Sequence, residues 1–79
     1  MEFGDYLKQK YHLGDTSVKD YIGRWNSIVN KGLYRGETEL TPTLIEAVDR
    51  EYPKDSHYRL TLKRYFEFKH DQKLGLEEK

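Results

Sequence analysis

The strongest constraint on the fold is an apolar stripe with the period of an α-helix between residues 18 and 29. Six residues recur there at spacings of three and four: Val18, Tyr21, Ile22, Trp25, Ile28 and Val29. This spacing places them on one side of a helix of about three turns. Because such a helix must bury its stripe against another element, the rest of the chain has to supply partners for it.

Three other segments have apolar residues at helical spacing, at about 2–11, 42–52 and 56–70. Thr41 and Pro42 are typical of a helix N-terminus and open the third segment, whereas Pro53 prevents its continuation. No stretch of the sequence shows the sustained alternation of a β-strand. We therefore expect an all-α fold, a small four-helix orthogonal bundle.

Turn residues predict where these helices begin and end. Asp15, Thr16 or Ser17 is expected to cap the N-terminus of the second helix, and Gly32 to follow its last turn in the left-handed conformation. The fourth helix is expected to begin at residues 55–56 and to end near residue 70. Trp25 in the second helix is expected to anchor the core.

The composition limits the chain to one small domain. It has 79 residues, no cysteine and a formal net charge of zero, so we predict a helical domain over residues 1–70 and a frayed polar tail over residues 71–79. No stretch approaches the roughly 20 apolar residues of a membrane span, and the N-terminus lacks the apolar core of a signal peptide. A cytoplasmic protein that does not contact membranes is therefore expected.

The zero net charge hides a segregation of charge along the chain. Residues 15–36 carry four basic and two acidic side chains, and residues 54–73 carry six basic and three acidic ones. Residues 37–51 carry one basic side chain and five acidic ones. The second and fourth helices are thus predicted to be basic and the third acidic. Two basic helices on one side of the fold would form a local positive surface.

Four sequence patterns resemble the core-binding domain of tyrosine recombinases, the phage-integrase and Xer-type enzymes. They are Phe3-Gly-Asp-Tyr-Leu7, Thr16-Ser-Val-Lys-Asp-Tyr-Ile-Gly-Arg-Trp25, Leu40-Thr-Pro42, and Ser56 through Leu62-Lys-Arg-Tyr-Phe-Glu-Phe68. The resemblance covers residues 3–70. It implies a SAM-like helical bundle that clamps double-stranded recombination-site DNA through its second and fourth helices, opposite a separate catalytic domain.

The resemblance and the charge count both single out the second and fourth helices, and the resemblance implies the candidate DNA-binding residues. They are Ser17, Lys19 and Arg24 on the second helix, Lys54 before the fourth helix, and His57, Arg59, Lys63 and Arg64 on or beside the fourth. Lysine and arginine would mostly neutralise phosphates, and Ser17 near a helix N-terminus could donate to one. Arg59 or Arg64 could alternatively reach a guanine edge.

No enzymatic activity is expected of this chain by itself. The family's strand-transfer residues lie in a catalytic domain, and the seven tyrosines here lie mainly on apolar stripes, where a core role is expected. The three histidines are spread over different segments and no phosphate-binding glycine motif occurs, so we expect no metal, no cofactor and no small-molecule substrate. The domain is expected to be monomeric in isolation.

A second hypothesis is a small helical module for protein–protein interaction or regulation. It would use the acidic face of the third helix, or apolar residues of the fourth helix that fall outside its main stripe, namely Leu60 and Phe68. A charge reversal on the fourth helix separates the two hypotheses, because it should abolish DNA binding and leave a contact through the third helix intact.

Overall fold

The fold is an all-α bundle of four helices. The computed structural model describes residues 2–77 of the backbone, and the side chains of residues 2–72. The helices are α1 (Phe3–Tyr11), α2 (Asp15–Asn30), α3 (Pro42–Glu51) and α4 (His57–Glu77), and no strand occurs within residues 2–77. The predicted fold class and number of helices are confirmed.

The fourth helix is the centre of the bundle, because α1, α2 and α3 all pack against it, and α1 also packs against α2. The buried apolar side chains come from all four helices: Phe3, Tyr6, Leu7, Val18, Trp25, Ile28, Leu44, Val48, Leu62, Phe66 and Phe68. The core position expected for Trp25 is confirmed. All seven tyrosines are buried or half-buried, as their positions on the apolar stripes predicted.

The close approach of α1 to α2 depends on a glycine. A Cβ atom added at Gly4 would lie 3.1 Å from Cγ1 of Val18, which is tighter than ordinary van der Waals contact. A side chain at this position would require Val18 to move by a few tenths of an ångström.

Two helix ends follow the predicted local signals. Thr41 caps α3, where its hydroxyl accepts a hydrogen bond from the backbone N–H of Leu44 at 3.2 Å. After α2, Gly32 adopts a φ of 73°, and the N–H groups of Gly32 and Leu33 donate to the carbonyls of Val29 and Ile28. This pair of bonds is a Schellman motif, which satisfies carbonyls that the last turn leaves open.

The predicted cap of α2 is wrong. The helix begins at Asp15 with Gly14 as its N-cap residue, and no side chain closes this end. Asp15 instead forms an ion pair with Lys8 of α1 at 2.8 Å, and this partner lowers the pKa of the Asp15 carboxyl. The carboxylate thus has a cationic partner on another helix as well as a favourable place in the first turn.

The predicted end of α4 near His70 is also wrong, because the helix continues to Glu77. Asp71, which we assigned to a frayed tail, accepts hydrogen bonds from α1 and is therefore part of the bundle. Residues 78–79 of the predicted tail lie outside the described part of the chain. Within that part, no helix is both long enough and apolar enough to cross a membrane.

Candidate nucleic-acid interface

The two helices that were predicted to bind DNA lie side by side. Trp25 of α2 stacks on Tyr65 of α4, with ring centroids 3.7 Å apart and an angle of 14° between the ring planes. Such a stack adds to the stabilisation from burial alone and fixes how far α4 can slide along α2. The second and fourth helices are therefore in direct contact through these two rings.

The predicted residues of α2 do not all share one face. Ser17 and Arg24 are seven residues apart and lie in one row, whereas Lys19 lies about 140° around the helix axis from Arg24. The guanidinium of Arg24 is 5.8 Å from the ring centroid of Tyr21, which belongs to the same row. Ser17 and Arg24 can thus contact one partner surface together, while Lys19 lies on a different side of the helix.

The start of α4 brings two predicted side chains, those of His57 and Lys54, close to this row. Asp55 accepts a hydrogen bond from the backbone N–H of His57 at 3.0 Å, and its carboxylate lies 2.8 Å from Nδ1 of that residue. The backbone and side chain of His57, followed by the nearby charge of Arg24, lower the pKa of Asp55. Arg24 therefore lies near the α4 N-terminus, and Lys54 is exposed in the turn that leads into it.

Arg59 is engaged by the acidic third helix. Its Nε donates to Oδ1 of Asp49 at 3.0 Å, and its Nη2 donates to Oδ2 at 2.6 Å. This is the bidentate arrangement for which the planar guanidinium is suited, and half of the Arg59 side chain remains exposed. The same arginine thus braces α3 against α4 and faces solvent.

Lys63 and Arg64 are neighbours in sequence but differ in their surroundings. Lys63 is exposed and takes part in no ion pair among the described residues. Arg64 has only 27% of its side chain exposed, lies 4.2 Å from the ring centroid of Tyr11, and donates to Glu67 at 3.1 Å. Burial lowers the pKa of Arg64, but Tyr11, Glu67 and Tyr21 together raise it above its usual value. Arg64 is therefore largely committed to intramolecular contacts.

The acidic third helix uses two of its carboxylates inside the molecule. Asp49 accepts hydrogen bonds from Arg59, and Glu51 accepts one from Lys31, the C-cap residue of α2, at 2.8 Å. The ammonium group of Lys31 also lies 4.9 Å from the ring centroid of Tyr52. The segregation of charge seen in the sequence thus becomes pairing between helices.

Phe68 is not the exposed apolar residue that a protein-interaction surface on the fourth helix would need. Its ring is buried against Phe3 and Tyr6, with centroids 5.6 and 5.4 Å away, because α4 is covered by α1 on this side. Leu60 is half-buried. The two residues therefore do not form an exposed apolar patch.

A polar junction that the sequence patterns did not predict connects α1 with α4. It consists of Tyr6, Lys10, Tyr11, Glu67 and Asp71. The hydroxyl of Tyr6 donates to Asp71 at 2.6 Å, Lys10 donates to the same carboxylate oxygen at 2.9 Å, and the hydroxyl of Tyr11 donates to Glu67. Burial and then the bond to Asp71 raise the pKa of Tyr6 to about 12. The available signal was the spacing of four between the two carboxylates on α4.

No group of three histidine, cysteine, aspartate or glutamate side chains suited to a metal ion occurs among the residues that the structure describes. The polar clusters that do occur consist of carboxylates already satisfied by lysine, arginine or tyrosine. These contacts connect helices, and their chemistry is that of structural ion pairs.

Comparison with known proteins adds no relative to this picture. The chain matches no protein-family model, no curated protein and no solved structure.

Proposed function

We propose that this chain is a DNA-binding module of the tyrosine-recombinase and phage-integrase kind, a SAM-like core-binding domain without catalytic residues. In this proposal α2 and α4 contact double-stranded recombination-site DNA, and a separate catalytic domain performs strand transfer. The module works as a monomer in the cytoplasm and needs no cofactor. The family assignment rests on the sequence patterns described above.

One observation carries the proposal: cations without an ion pair lie along the two adjacent helices. Arg24 on α2, Lys54 in the turn before α4 and Lys63 on α4 form no ion pair among the described residues. A surface cation that is not neutralised within the protein can replace the counterions of a DNA phosphate. Ser17 shares the row of Arg24 and lies in the first turn of α2, where it can donate to a phosphate.

The structure gives less support to a protein-interaction module. Two of the acidic side chains on which that hypothesis depends, Asp49 and Glu51, are paired with Arg59 and Lys31. Phe68, one of its two apolar candidates, is in the core. The surface that this hypothesis needs is thus partly used to hold the bundle together.

The test is a titration of a fluorescein-labelled 20-bp duplex of mixed sequence, followed by fluorescence anisotropy. We expect dissociation constants in the micromolar range or weaker, since about three phosphates are neutralised. The slope of log K against log salt should be about −3, so that affinity falls roughly 40-fold between 50 and 200 mM NaCl. Absence of binding at 50 mM NaCl, or binding that ignores salt, would refute the proposal.

A matched pair of double variants localises the surface. Lys54→Glu with Lys63→Glu removes two of the proposed contacts and should weaken binding at least tenfold. Arg35→Glu with Arg50→Glu makes the same change in net charge at two exposed arginines outside α2 and α4, which form no ion pair with any side chain that the structure describes. It should weaken binding far less. Equal losses in both double variants would show that binding follows net charge rather than this surface.

A further inference from the structure

The five arginines of the chain differ in how firmly their guanidinium groups are held. Arg59 is the one that donates two hydrogen bonds to the two oxygens of a single carboxylate, that of Asp49. Arg64 is largely covered by Tyr11 and Glu67, and Arg24 lies along the ring of Tyr21. Only Arg59 thus combines a fixed orientation with an exposed side chain.

The bonds to Asp49 leave the outer edge of the guanidinium unused. A guanidinium has five N–H donors, and Asp49 accepts one from Nε and one from Nη2. The remaining donors are both hydrogens of Nη1 and the second hydrogen of Nη2. One hydrogen on each of these nitrogens points away from Asp49, and the two are nearly parallel. Two parallel donors match the O6 and N7 acceptors of guanine in the major groove.

The position of Arg59 on α4 supports the same role. Lys63 lies one turn further along the same face, about 6 Å along the helix axis, and is exposed without an ion pair to any of the described side chains. A lysine there can hold a phosphate, while the arginine beside it faces the edges of the bases. Because Asp49 belongs to α3, the packing of α3 against α4 fixes the direction of the guanidinium before DNA arrives.

We propose that Arg59 is a specificity-determining residue that contacts guanine in the major groove, and that Asp49 is its positioning residue. This inference rests on the proposed function, since it assigns a role within the same DNA-binding surface. The charge of Asp49 makes a pure phosphate role for Arg59 less favourable, because the carboxylate repels phosphate oxygens. By contrast, the two hydrogen bonds to Asp49 hold the guanidinium plane in one orientation, and a fixed plane favours a bidentate contact with a base.

The experiment is selection from a library of 20-bp duplexes with ten randomised positions, followed by sequencing. The wild type should enrich guanine at one position. Arg59→Lys keeps the charge but lacks the planar fork, so it should keep the affinity for the unselected library within about threefold and lose the guanine preference. Asp49→Asn should lower that preference about tenfold. Glu46→Gln removes the same charge from an exposed carboxylate of α3 that forms no ion pair within residues 2–72, and should leave the preference unchanged.

A single-atom change in the DNA checks the contact directly. Replacing the enriched guanine by 7-deazaguanine removes the N7 acceptor, and should weaken the wild type while leaving Arg59→Lys unaffected. The inference is overturned if Arg59→Lys retains the guanine preference. It is also overturned if Asp49→Asn tightens binding to all sequences equally, because Asp49 would then only keep Arg59 from contacting phosphates. A wild type that binds no duplex would refute the proposed function itself, and binding without any guanine enrichment would refute this inference alone.

Discussion

The side chains of α4 are described for residues 57–72, and the two halves of this stretch differ in charge and in the helices that they contact. Residues 57–64 carry three basic side chains and no acidic one, whereas residues 65–72 carry two acidic side chains and one basic one. The first half contacts α3 through Arg59 and through Tyr58, whose ring stacks on Tyr52 at 3.6 Å. The second half contacts α1 through aromatic rings and through the carboxylates of the polar junction.

Charged side chains are used differently in the two halves. In the second half, carboxylates face the hydroxyls of Tyr6 and Tyr11 and the ammonium of Lys10, so charge is used to fix α1. In the first half, Lys63 remains without an ion pair and Arg59 keeps half of its side chain exposed. Both halves contribute to the core, since Leu62 and Phe68 are buried, and we infer that the proposed DNA contacts lie in the first.

The largest expected effect comes from Phe68→Ala in the second half. Phe68 is buried among three aromatic rings whose centroids lie within 6 Å, so its removal should lower the free energy of unfolding by about 3–5 kcal/mol. Leu60→Ala, at a half-exposed apolar side chain of the first half, should cost less than about 1 kcal/mol. Urea unfolding followed by circular dichroism measures both. Equal losses would remove the distinction between the halves.

A smaller effect is expected from Tyr6→Phe at the polar junction. The hydroxyl of Tyr6 donates to Asp71, which is 38% exposed, so water replaces part of the lost bond and the cost should be about 1 kcal/mol. Tyr58→Phe makes the same chemical change in the first half, where the hydroxyl has no hydrogen bond to the described part of the chain. It should change stability by less than about 0.5 kcal/mol. A larger loss in Tyr58→Phe than in Tyr6→Phe would contradict the assignment of polar anchoring to the second half.

Acidification should weaken the second half of α4 through Asp71. The hydroxyl of Tyr6 and then Lys10 lower the pKa of this carboxyl in the folded state. Its contribution to stability is therefore complete above the unfolded carboxyl pKa of about 3.9, and is lost as the pH falls through the lower folded value. Unfolding midpoints in urea at pH 6 and pH 3 measure the loss. The loss should be smaller in Asp71→Asn. It should be unchanged in Asp20→Asn, the same substitution at an exposed carboxylate that forms no ion pair among the described residues.

The fold could be predicted where local chemistry decides it. The cap at Thr41 and the left-handed Gly32 depend on interactions within a few residues, and both are confirmed. The polar junction and the pairing of Arg59 with Asp49 join residues 10 to 65 positions apart, and no local pattern specifies them. The extension of α4 past His70 was missed for the same reason, since Asp71 has its partners on α1.

The candidate site could be predicted only as a set of residue types. Charge counting finds Lys63 and Arg64 equally, yet the structure separates them because Arg64 lies against Tyr11 and Glu67. Which cations remain available to a partner is thus a tertiary property. The separation of Lys19 from Arg24, by contrast, follows from their spacing of five residues in any α-helix.

The smallest expected effect on stability is that of Lys63→Ala in the first half. Its side chain is exposed and forms no ion pair within the described residues, and alanine is the better helix former, so the free energy of unfolding should change by less than about 0.5 kcal/mol. The same variant should weaken binding to a 20-bp duplex several-fold and reduce the salt slope by about one, because one phosphate contact is lost. Thermal unfolding and anisotropy on one sample separate the two effects. If Lys63→Ala lost stability and affinity together, Lys63 would belong to the packing of α4, and the first half would not be a surface reserved for a partner.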